Sequence, residues 1–335
     1  MTRRHFIAGS VALAAGCGAR GDRVVLYCAQ DREFADDLLA EFTRETGLRV
    51  DTKFDTEANK SVALAAELEQ EAGRPRCDVH WNNEPLGSVR LARAGVYAPL
   101  PAPLGDAFPA ATRPADRTWQ GFAARARVLV VNLAAVTQAE QPLGLFDLLA
   151  EKWRGRVAIA KPFFGTTATH AAALSAALGA AKAREFFAGL KANGASVVAG
   201  NKQVARAVAD GRFAVGLTDT DDALIEVRAG KPVAVVFPDA AGFGTLFLPN
   251  TVALVKGGPN PAGAQKLVEF LLRPATEQRL AEGGGFQIPL NPAVTAALAV
   301  GLKTPSQTRP MDVNFDAAAD AWEGTQAMLR ELFAG

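Results

Sequence analysis

The chain has 335 residues, of which 49% are hydrophobic and 21% are charged, and this length is sufficient for two cores of ordinary domain size. The formal net charge of +1 excludes the strongly basic surface that is typical of nucleic-acid binding, so we expect no nucleic-acid partner. After the N-terminus, no apolar run reaches the roughly 18 residues that a membrane-spanning helix needs, which predicts a soluble body.

The first 22 residues are predicted to direct export. Arg3 and Arg4 precede an aromatic residue and a short apolar segment, which ends at Cys17. This order resembles a twin-arginine export signal with a lipobox, although Ala14 stands where lipoproteins usually carry leucine. In this interpretation Cys17 is lipidated and anchors the chain on the outer side of the cytoplasmic membrane, with residues 18–22 as a tether. The alternative is a cytoplasmic protein whose start is basic by chance.

From residue 23 onward, apolar strands and amphipathic helices alternate. Residues 24–28 form an apolar run typical of a buried parallel strand, and residues 34–46 repeat apolar side chains at helical spacing until Gly47 ends the helix. The next elements are a strand at 48–54, a helix at 61–72 and a strand at 78–81. This βαβαβ order predicts an α/β fold with a doubly wound sheet.

The same alternation continues to the end of the chain. Further strands are predicted at 127–132, 157–160, 195–198, 214–217 and 251–255. Further helices are predicted at 167–178, 181–192, 203–210, 261–272 and 316–333. We expect the strand at 251–255 to cross back to the first part of the fold.

Several short strings resemble the ferric-ion-binding class of periplasmic solute-binding proteins, which also includes binders of phosphonates, thiamine and sugar phosphates. The strings include FTRETG at 42–47, ARAGVYAPL at 92–100, RARVLVVN at 125–132, KWRGRV at 152–157 and IPLNP at 288–292. They occur in the family's order and span nearly the whole mature chain. The resemblance therefore covers the body of the protein rather than one motif.

The resemblance implies a type II binding fold, in which two α/β lobes, each a mainly parallel sheet flanked by helices, are joined by crossing hinge strands. It assigns 1–22 to the signal and tether, 23–123 to lobe 1, 124–250 to lobe 2, 251–292 to the return to lobe 1, and 293–335 to C-terminal helices on lobe 2. Ligands of open α/β sheets bind beyond the carboxyl ends of the strands. We therefore expect the ligand between the lobes.

The resemblance also implies a function: capture of a small ligand and delivery to an ABC permease with a cytoplasmic ATPase, by a monomer without a cofactor. One alternative is a lipoprotein that presents its closed form to a receptor. Another is a hydrolase with Asp221 or Glu84 as base and His170 nearby. The sequence contains no GxSxG elbow, HExxH, P-loop or dinucleotide fingerprint, which argues against an enzyme.

Gly165, Thr166 and Thr167 form a candidate anion site. They lie between a predicted strand and a predicted helix, so their amides and hydroxyls are expected to converge at a helix N-terminus. In the resembled family this loop contacts an anion. The alternative is that Thr166 or Thr167 only caps the helix.

Three further polar residues are candidate ligand contacts. Arg125 precedes a predicted strand and can clamp a carboxylate or phosphate through two parallel hydrogen bonds, unless it is an ordinary surface arginine. Asn201 opens a predicted helix, and Asn250 lies at the crossing strand. Both asparagines are candidates because of these positions.

The metal ligands of the ferric binders are all replaced in this chain. The resemblance aligns their adjacent iron-binding tyrosines with Thr220 and Asp221, their histidine with Asp31, and their glutamate with Asn83, beside Glu84. The chain contains two tyrosines in all, at positions 27 and 97. Iron binding by a tyrosinate pair is therefore excluded.

The acids near the strand ends are the remaining candidates for a cationic partner. Asp31, Asn83, Glu84, Asp219 and Asp221 offer carboxylate and amide oxygens that suit a hard metal ion or the ammonium group of an organic ligand. The alternative is a solvated loop in which Asp221 caps the following helix. Because the same cleft offers an anion loop, we predict a ligand with both charges: a metal with its anion, or a phosphorylated, phosphonate or zwitterionic compound.

Overall fold

The computed structural model describes residues 21–55, 63–295 and 297–334. The predicted export segment with Cys17 lies outside the described residues. The strands are β1 Arg23–Cys28, β2 Arg49–Phe54, β3 Val79–Asn82, β4 Tyr97–Ala98, β5 Gln120–Asn132, β6 Val157–Ala160, β7 Ser196–Val198, β8 Val215–Asp219, β9 Val233–Val236 and β10 Phe247–Val255. The helices are α1 Arg32–Thr46, α2 Ala63–Gln70, α3 Pro85–Arg93, α4 Gly165–Leu178, α5 Ala180–Ala192, α6 Asn201–Ala209, α7 Thr220–Arg228, α8 Pro261–Leu271, α9 Pro274–Glu282, α10 Phe315–Asp320 and α11 Trp322–Phe333.

Two parallel sheets are joined by two long crossing strands. The strand order is β2-β1-β3-β10-β5-β8-β6-β7, with β4 beside β10 and β9 beside β5. β1 is parallel to β2 and β3, and β6 is parallel to β7 and β8, whereas β5 and β10 are antiparallel to their neighbours. We call the β1–β3 side lobe 1 and the β6–β8 side lobe 2. The predicted two-lobed α/β fold is confirmed.

Strand β5 belongs to both lobes. All 13 of its residues are buried; its first half pairs with β10, and its second half pairs with β8 and β9. The predicted lobe boundaries, 123/124 and 250/251, fall inside β5 and β10. β5 and β10 therefore connect the two lobes.

Each lobe has its own apolar core. In lobe 1, Trp81 of β3 and Phe122 of β5 pack with ring centroids 5.4 Å apart, and Phe42 of α1 packs edge-on against α8. In lobe 2, Phe186 and Phe187 of α5 pack against the β6–β8 layer. α1 ends as predicted at Gly47, whose φ of 73° favours glycine and whose N–H donates to the Thr43 carbonyl.

The predicted C-terminal helix is divided into α10 and α11 at Ala321. α11 packs on α4 and α5 of lobe 2, whereas α10 contacts α3 of lobe 1 as well as α4. Arg93 of α3 forms ion pairs with Asp316 and Asp320 of α10. The tail therefore contacts both lobes. Among the described residues, no helix combines the length and apolarity needed to cross a bilayer.

Candidate functional site

A polar cleft lies between the lobes, at the carboxyl ends of β1, β3, β6 and β8, and has a volume of about 460 Å³. Its walls carry both charges. The acidic residues are Asp31, Glu33, Asp36, Asp219, Asp221 and Asp222, and the basic residues are Arg32, Arg125, Lys161 and Lys202. This is the position at which doubly wound sheets bind ligands.

Four helices begin at this cleft with N-terminal amides that their N-cap side chains do not satisfy. The N-cap residues are Asp31 for α1, Phe164 for α4, Gly200 for α6 and Asp219 for α7, and none makes a side-chain capping hydrogen bond. The first N–H groups of a helix have no partner within the helix, and the helix dipole adds partial positive charge there. The cleft is therefore suited to an anionic group.

Arg127 of β5 lies behind the lobe 2 residues that line the cleft and forms hydrogen bonds with several of them. Its side chain is fully buried and does not line the cleft itself. Its guanidinium donates to Asp219 Oδ1 (2.6 Å), Asn201 Oδ1 (3.0 Å), Thr166 Oγ1 (3.3 Å), Thr167 Oγ1 (3.4 Å) and His170 Nδ1 (3.4 Å). One cation thus connects β8 with the first turns of α4 and α6.

The threonine hydroxyls of α4 are used inside this network. Thr166 Oγ1 donates to Asp219 Oδ2 at 2.6 Å, and Thr167 Oγ1 donates to Asn201 Oδ1 at 3.2 Å. Neither hydroxyl caps α4, whose N-cap is Phe164. Because each hydroxyl has a single proton, the anion-binding capacity of this loop rests on its backbone amides.

Asp219 is a stably ionised carboxylate. Burial raises its pKa, but the charges of Arg127 and Arg125 and the hydrogen bond from Thr166 outweigh burial, so the pKa lies below its usual range. Asn201 Nδ2 also donates to Asp219 Oδ2, at 3.1 Å. The carboxylate therefore accepts three hydrogen bonds from protein donors.

Arg125 lies two residues before Arg127 on the same face of β5, and it borders the cleft. Its Nη2 donates to the Asn83 carbonyl of lobe 1, and its Nη1 lies 3.6 Å from Asp221 Oδ2 of lobe 2. Although burial lowers the pKa of Arg125, Asp221 and the neighbouring acids raise it overall. Its Nε is buried and has no hydrogen-bond partner among the described residues. A buried donor without a protein acceptor is uncommon in folded proteins.

The acidic cluster is not a plain cation site. Oxygens of Asp219, Asp221 and Asp222 lie within 4.8 Å of one another, as metal ligands would. However, Asp219 pairs with Arg127 and Asp221 with Arg125, so two positive charges already face this cluster. These residues do not fit a resident metal ion, because a cation would have to compete with both guanidinium groups.

The two tyrosines of the chain are remote from the cleft. Tyr27 and Tyr97 are buried in one lobe 1 cluster. The Tyr97 hydroxyl lies 2.6 Å from His80 Nδ1, and the Tyr27 hydroxyl donates to Glu71. Neither side chain lines the cleft, so the exclusion of a tyrosinate iron site holds in three dimensions.

Nine of the twelve sequence-predicted contact residues line the cleft. They are Asp31, Asn83, Arg125, Gly165, Thr166, Thr167, Asn201, Asp219 and Asp221. Three lie elsewhere. Thr220 is buried, and its hydroxyl accepts the Ala126 N–H at 3.1 Å. Asn250 is buried between the crossing strands, where it donates to the Ala123 carbonyl and to Gln287 Oε1.

Glu84 is the third residue outside the cleft lining. Its carboxylate caps α3, accepting the N–H groups of Leu86 and Gly87 at 2.7 Å each, and it accepts the Thr169 hydroxyl at 2.8 Å. Burial raises its pKa despite these bonds. Because both carboxylate oxygens already accept hydrogen bonds and lie outside the cleft lining, Glu84 is in position neither to contact a ligand in the cleft nor to act as a base.

His170, the other residue of the hydrolase alternative, is buried beneath the cleft. Burial and then the charge of Arg127 hold its pKa well below its usual value. Its Nδ1 already accepts from Arg127. The ring is therefore neutral and has no access to a ligand in the cleft.

Four basic residues of the site were not predicted from the sequence: Arg32, Arg127, Lys161 and Lys202. Arg127 occurs in the pattern Arg-Ala-Arg within an apolar strand. Two charged side chains on one face of a buried strand indicate a functional site, because charged residues are rarely buried. Lys161 follows β6, and Lys202 is the second residue of α6. The Lys202 ammonium lies 3.7 Å from Glu33 of lobe 1, across the cleft.

Known proteins share this architecture. The family described as bacterial extracellular solute-binding protein matches residues 89–320. Iron uptake protein A1 of Synechocystis is 27% identical over 287 residues, which cover 81% of this chain and 78% of the relative. Iron-bound HitA from Pseudomonas aeruginosa superposes with a TM-score of 0.83 at 22% identity, covering 93% of this chain and 99% of HitA.

A second solved structure has a different ligand. AfuA from Actinobacillus pleuropneumoniae, with exogenous fructose-6-phosphate bound, has a TM-score of 0.80 at 21% identity and covers 93% of this chain and 98% of AfuA. Together with the fold and the family match, these likenesses confirm the resemblance derived from the sequence. The chain is a member of the bacterial extracellular solute-binding protein family, in the ferric-iron-binding class of type II periplasmic binding proteins.

Proposed function

We propose that this protein is the solute-binding component of an ABC importer and that its cleft takes a small organic ligand with an anionic group and an ammonium group. The observation that carries the proposal is the unpartnered Arg125 Nε beside the uncapped first turn of α4, opposite the acids of α1 and α7. The permease receives the ligand when the lobes open.

The anionic group is assigned to the α4 side of the cleft. There it meets the amides of Gly165 to Thr167, the Arg125 guanidinium and the ammonium groups of Lys161 and Lys202. This concentration of positive charge suits a phosphonate or phosphate ester. Asp219 does not oppose such a group strongly, because Arg127 compensates its charge.

The ammonium group is assigned to the acidic side of the cleft, formed by Asp31 and Asp222, because Asp221 already faces Arg125. A bare anion would be repelled by these carboxylates, and a bare cation would meet Arg125. A ligand with both charges is complementary to both walls.

A thermal-shift screen of the purified full-length protein tests the ligand class. The probes are 2-aminoethylphosphonate, phosphate esters with and without an amino group, inorganic phosphate, and ferric salts with carbonate. At 100 times its Kd, a ligand stabilises the native state by about 2.7 kcal/mol, which raises the Tm by about 5 °C. We expect this rise for amino-bearing phosphonates or phosphate esters.

The screen also defines what would contradict the proposal. Stabilisation by ferric salts alone, or by inorganic phosphate as strongly as by amino-bearing probes, would show that the acidic wall does not select an ammonium group. Asp222→Asn is a matched control, since it removes one charge of that wall while Arg125 and Asp221 remain. Its affinity for an amino-bearing probe should fall, and its affinity for the amine-free ester should not.

Export by the twin-arginine route and anchoring through Cys17 complete the proposal. Replacement of Arg3 and Arg4 by lysine should leave precursor in the cytoplasm, because that route reads the adjacent arginines. Cys17→Ala should release a soluble extracytoplasmic form. Cell fractionation measures both outcomes, and a membrane-bound Cys17→Ala protein would refute the lipid anchor.

A further inference from the structure

We propose that the Thr169–Glu84 hydrogen bond is a latch between the lobes, and that Thr169 is a positioning residue for cleft closure. The inference rests on the proposed function, because closure around a ligand is the step that the latch controls. Thr169 lies on α4 of lobe 2, and Glu84 lies at the start of α3 in lobe 1. Their side chains meet at 2.8 Å, and both are buried.

The latch is buried, in contrast to another side-chain contact across the cleft. That contact is the Lys202–Glu33 ion pair at 3.7 Å, in which both side chains are about half exposed. An exposed ion pair at that distance contributes little, because water screens it and long side chains lose entropy. A short hydrogen bond from a hydroxyl to a buried carboxylate is stronger. Lobe closure therefore depends more on Thr169 than on Lys202.

Both partners of the latch have other hydrogen bonds when it opens. Thr169 Oγ1 also lies 3.2 Å from the Gly165 carbonyl, one turn earlier in α4, and can donate there instead. Glu84 keeps the N–H groups of Leu86 and Gly87. Opening therefore leaves no buried group unsatisfied, so the contact can break and reform.

The chain near Glu84 leaves space for its carboxylate at the start of α3. A Cβ on Gly87 would lie 2.6 Å from Glu84 Oε1, so glycine is needed for the carboxylate to sit over the first turn of α3. On the other side of the contact, the lobes do not pack fully. A recess of about 260 Å³ remains, and it is lined by Leu86, Arg90, Phe163 and Trp322 among others. Beside the hydrogen bond, Leu86 of lobe 1 packs with Ala172 of α4 and Ala318 of α10, so one polar contact and a small apolar cluster connect the lobes here.

The latch is also close to the proposed anion position. Gly165 lines both the cleft and the recess, and Thr169 is one turn later on the same helix. A ligand anion held by the first turn of α4 fixes the helix that carries Thr169. Ligand binding and formation of the latch therefore favour each other.

Small-angle scattering of the ligand-free full-length protein tests the latch. Thr169→Val removes the hydroxyl at nearly constant volume, and Thr169→Ser retains it as the matched control. We expect a larger radius of gyration for Thr169→Val than for the parent, and the parent's value for Thr169→Ser. Urea unfolding establishes that all three proteins fold.

Calorimetry with 2-aminoethylphosphonate as probe adds a second readout. Thr169→Val should bind about fivefold to tenfold more weakly, with a faster dissociation rate and an unchanged association rate. Superimposable ligand-free scattering curves for Thr169→Val and the parent would overturn the latch. If the probe binds none of the three proteins, the proposed ligand class fails, and the scattering curves still decide the latch independently.

Discussion

Two arginine–aspartate pairs lie two residues apart along β5 and differ in their surroundings. Arg127 and Asp219 are joined at 2.6 Å, and threonine and asparagine side chains complete the hydrogen bonds of both. Arg125 and Asp221 are 3.6 Å apart, both border the cleft, and Arg125 retains an unpartnered Nε. The inner pair is complete, whereas the outer pair is open on one side.

The difference separates stability from binding. A buried ion pair with every polar atom satisfied stabilises the folded chain mainly because removal of one partner leaves an uncompensated charge. An incompletely bonded guanidinium beside a cleft is available to a ligand. We therefore infer that the inner pair holds the site together and that the outer pair recognises the ligand.

The largest expected effect is that of Arg127→Met on stability. The change leaves the ionised Asp219 buried without its cation, so the free energy of unfolding should fall by about 3–5 kcal/mol. Urea unfolding followed by circular dichroism measures this loss. The double variant Arg127→Met/Asp219→Asn should recover part of it, because the unpaired charge is then absent. A loss below about 1 kcal/mol would mean that the inner pair is not structural.

The second prediction applies the same substitution to the outer pair. Arg125→Met should reduce the free energy of unfolding by less than about 2 kcal/mol, because water in the cleft can solvate Asp221. Affinity for the ligand identified by the screen should fall at least about 30-fold, as expected when a charged partner of a buried anion is removed. Titration calorimetry beside urea unfolding gives both values. Equal affinity in parent and variant would remove Arg125 from the site.

The fold was predictable because its signals are local. Apolar runs of strand length and helical spacing, together with the glycine that ends α1, predicted the alternation that the structure has. Elements with weaker local signals were not predicted: α3 begins at a proline after a polar stretch, and β9 is a four-residue strand. The break between α10 and α11 at Ala321 carries no helix-breaking residue, so the sequence gives no sign of it.

The candidate site was predictable in position but not in pairing. Strand ends identified Gly165 to Thr167 and the acids of α7, because topology brings the carboxyl ends of strands together. Arg127 was missed because its partners lie 39 to 92 residues away in sequence and meet only in the folded chain. The sequence alone therefore predicts that Asp219 is available for a cation, whereas the structure pairs it with Arg127.

Asp239 of lobe 2 sharpens the comparison, because it is a carboxylate beside another carboxylate rather than beside a cation. Burial, together with the charge of Asp147, raises its pKa to about 6, and one of its oxygens accepts the Leu145 N–H at 3.1 Å. Asp219 shows the opposite shift, because Arg127 and Arg125 outweigh its burial. Burial raises the pKa of both carboxylates. The charge of the neighbouring groups decides whether the pKa lies above or below its usual value.

The smallest predicted effect follows from that raised pKa. Because folded Asp239 binds its proton more tightly than the unfolded chain does, its contribution to stability is present at low pH and is lost as pH rises from about 4 to about 6. Asp239→Asn removes the ionisation, keeps an oxygen for Leu145 and is tolerated at the φ of 60° found there. At pH 7.5 the variant should gain about 1 kcal/mol in free energy of unfolding, a value reduced by solvent screening of a half-buried group.

Urea unfolding at pH 4.5 and 7.5 measures the gain, which should be smaller at the lower pH. Asp147→Asn is the control that leaves Asp239 ionisable, and a gain for Asp239→Asn of equal size at both pH values would show that its ionisation is not the cause.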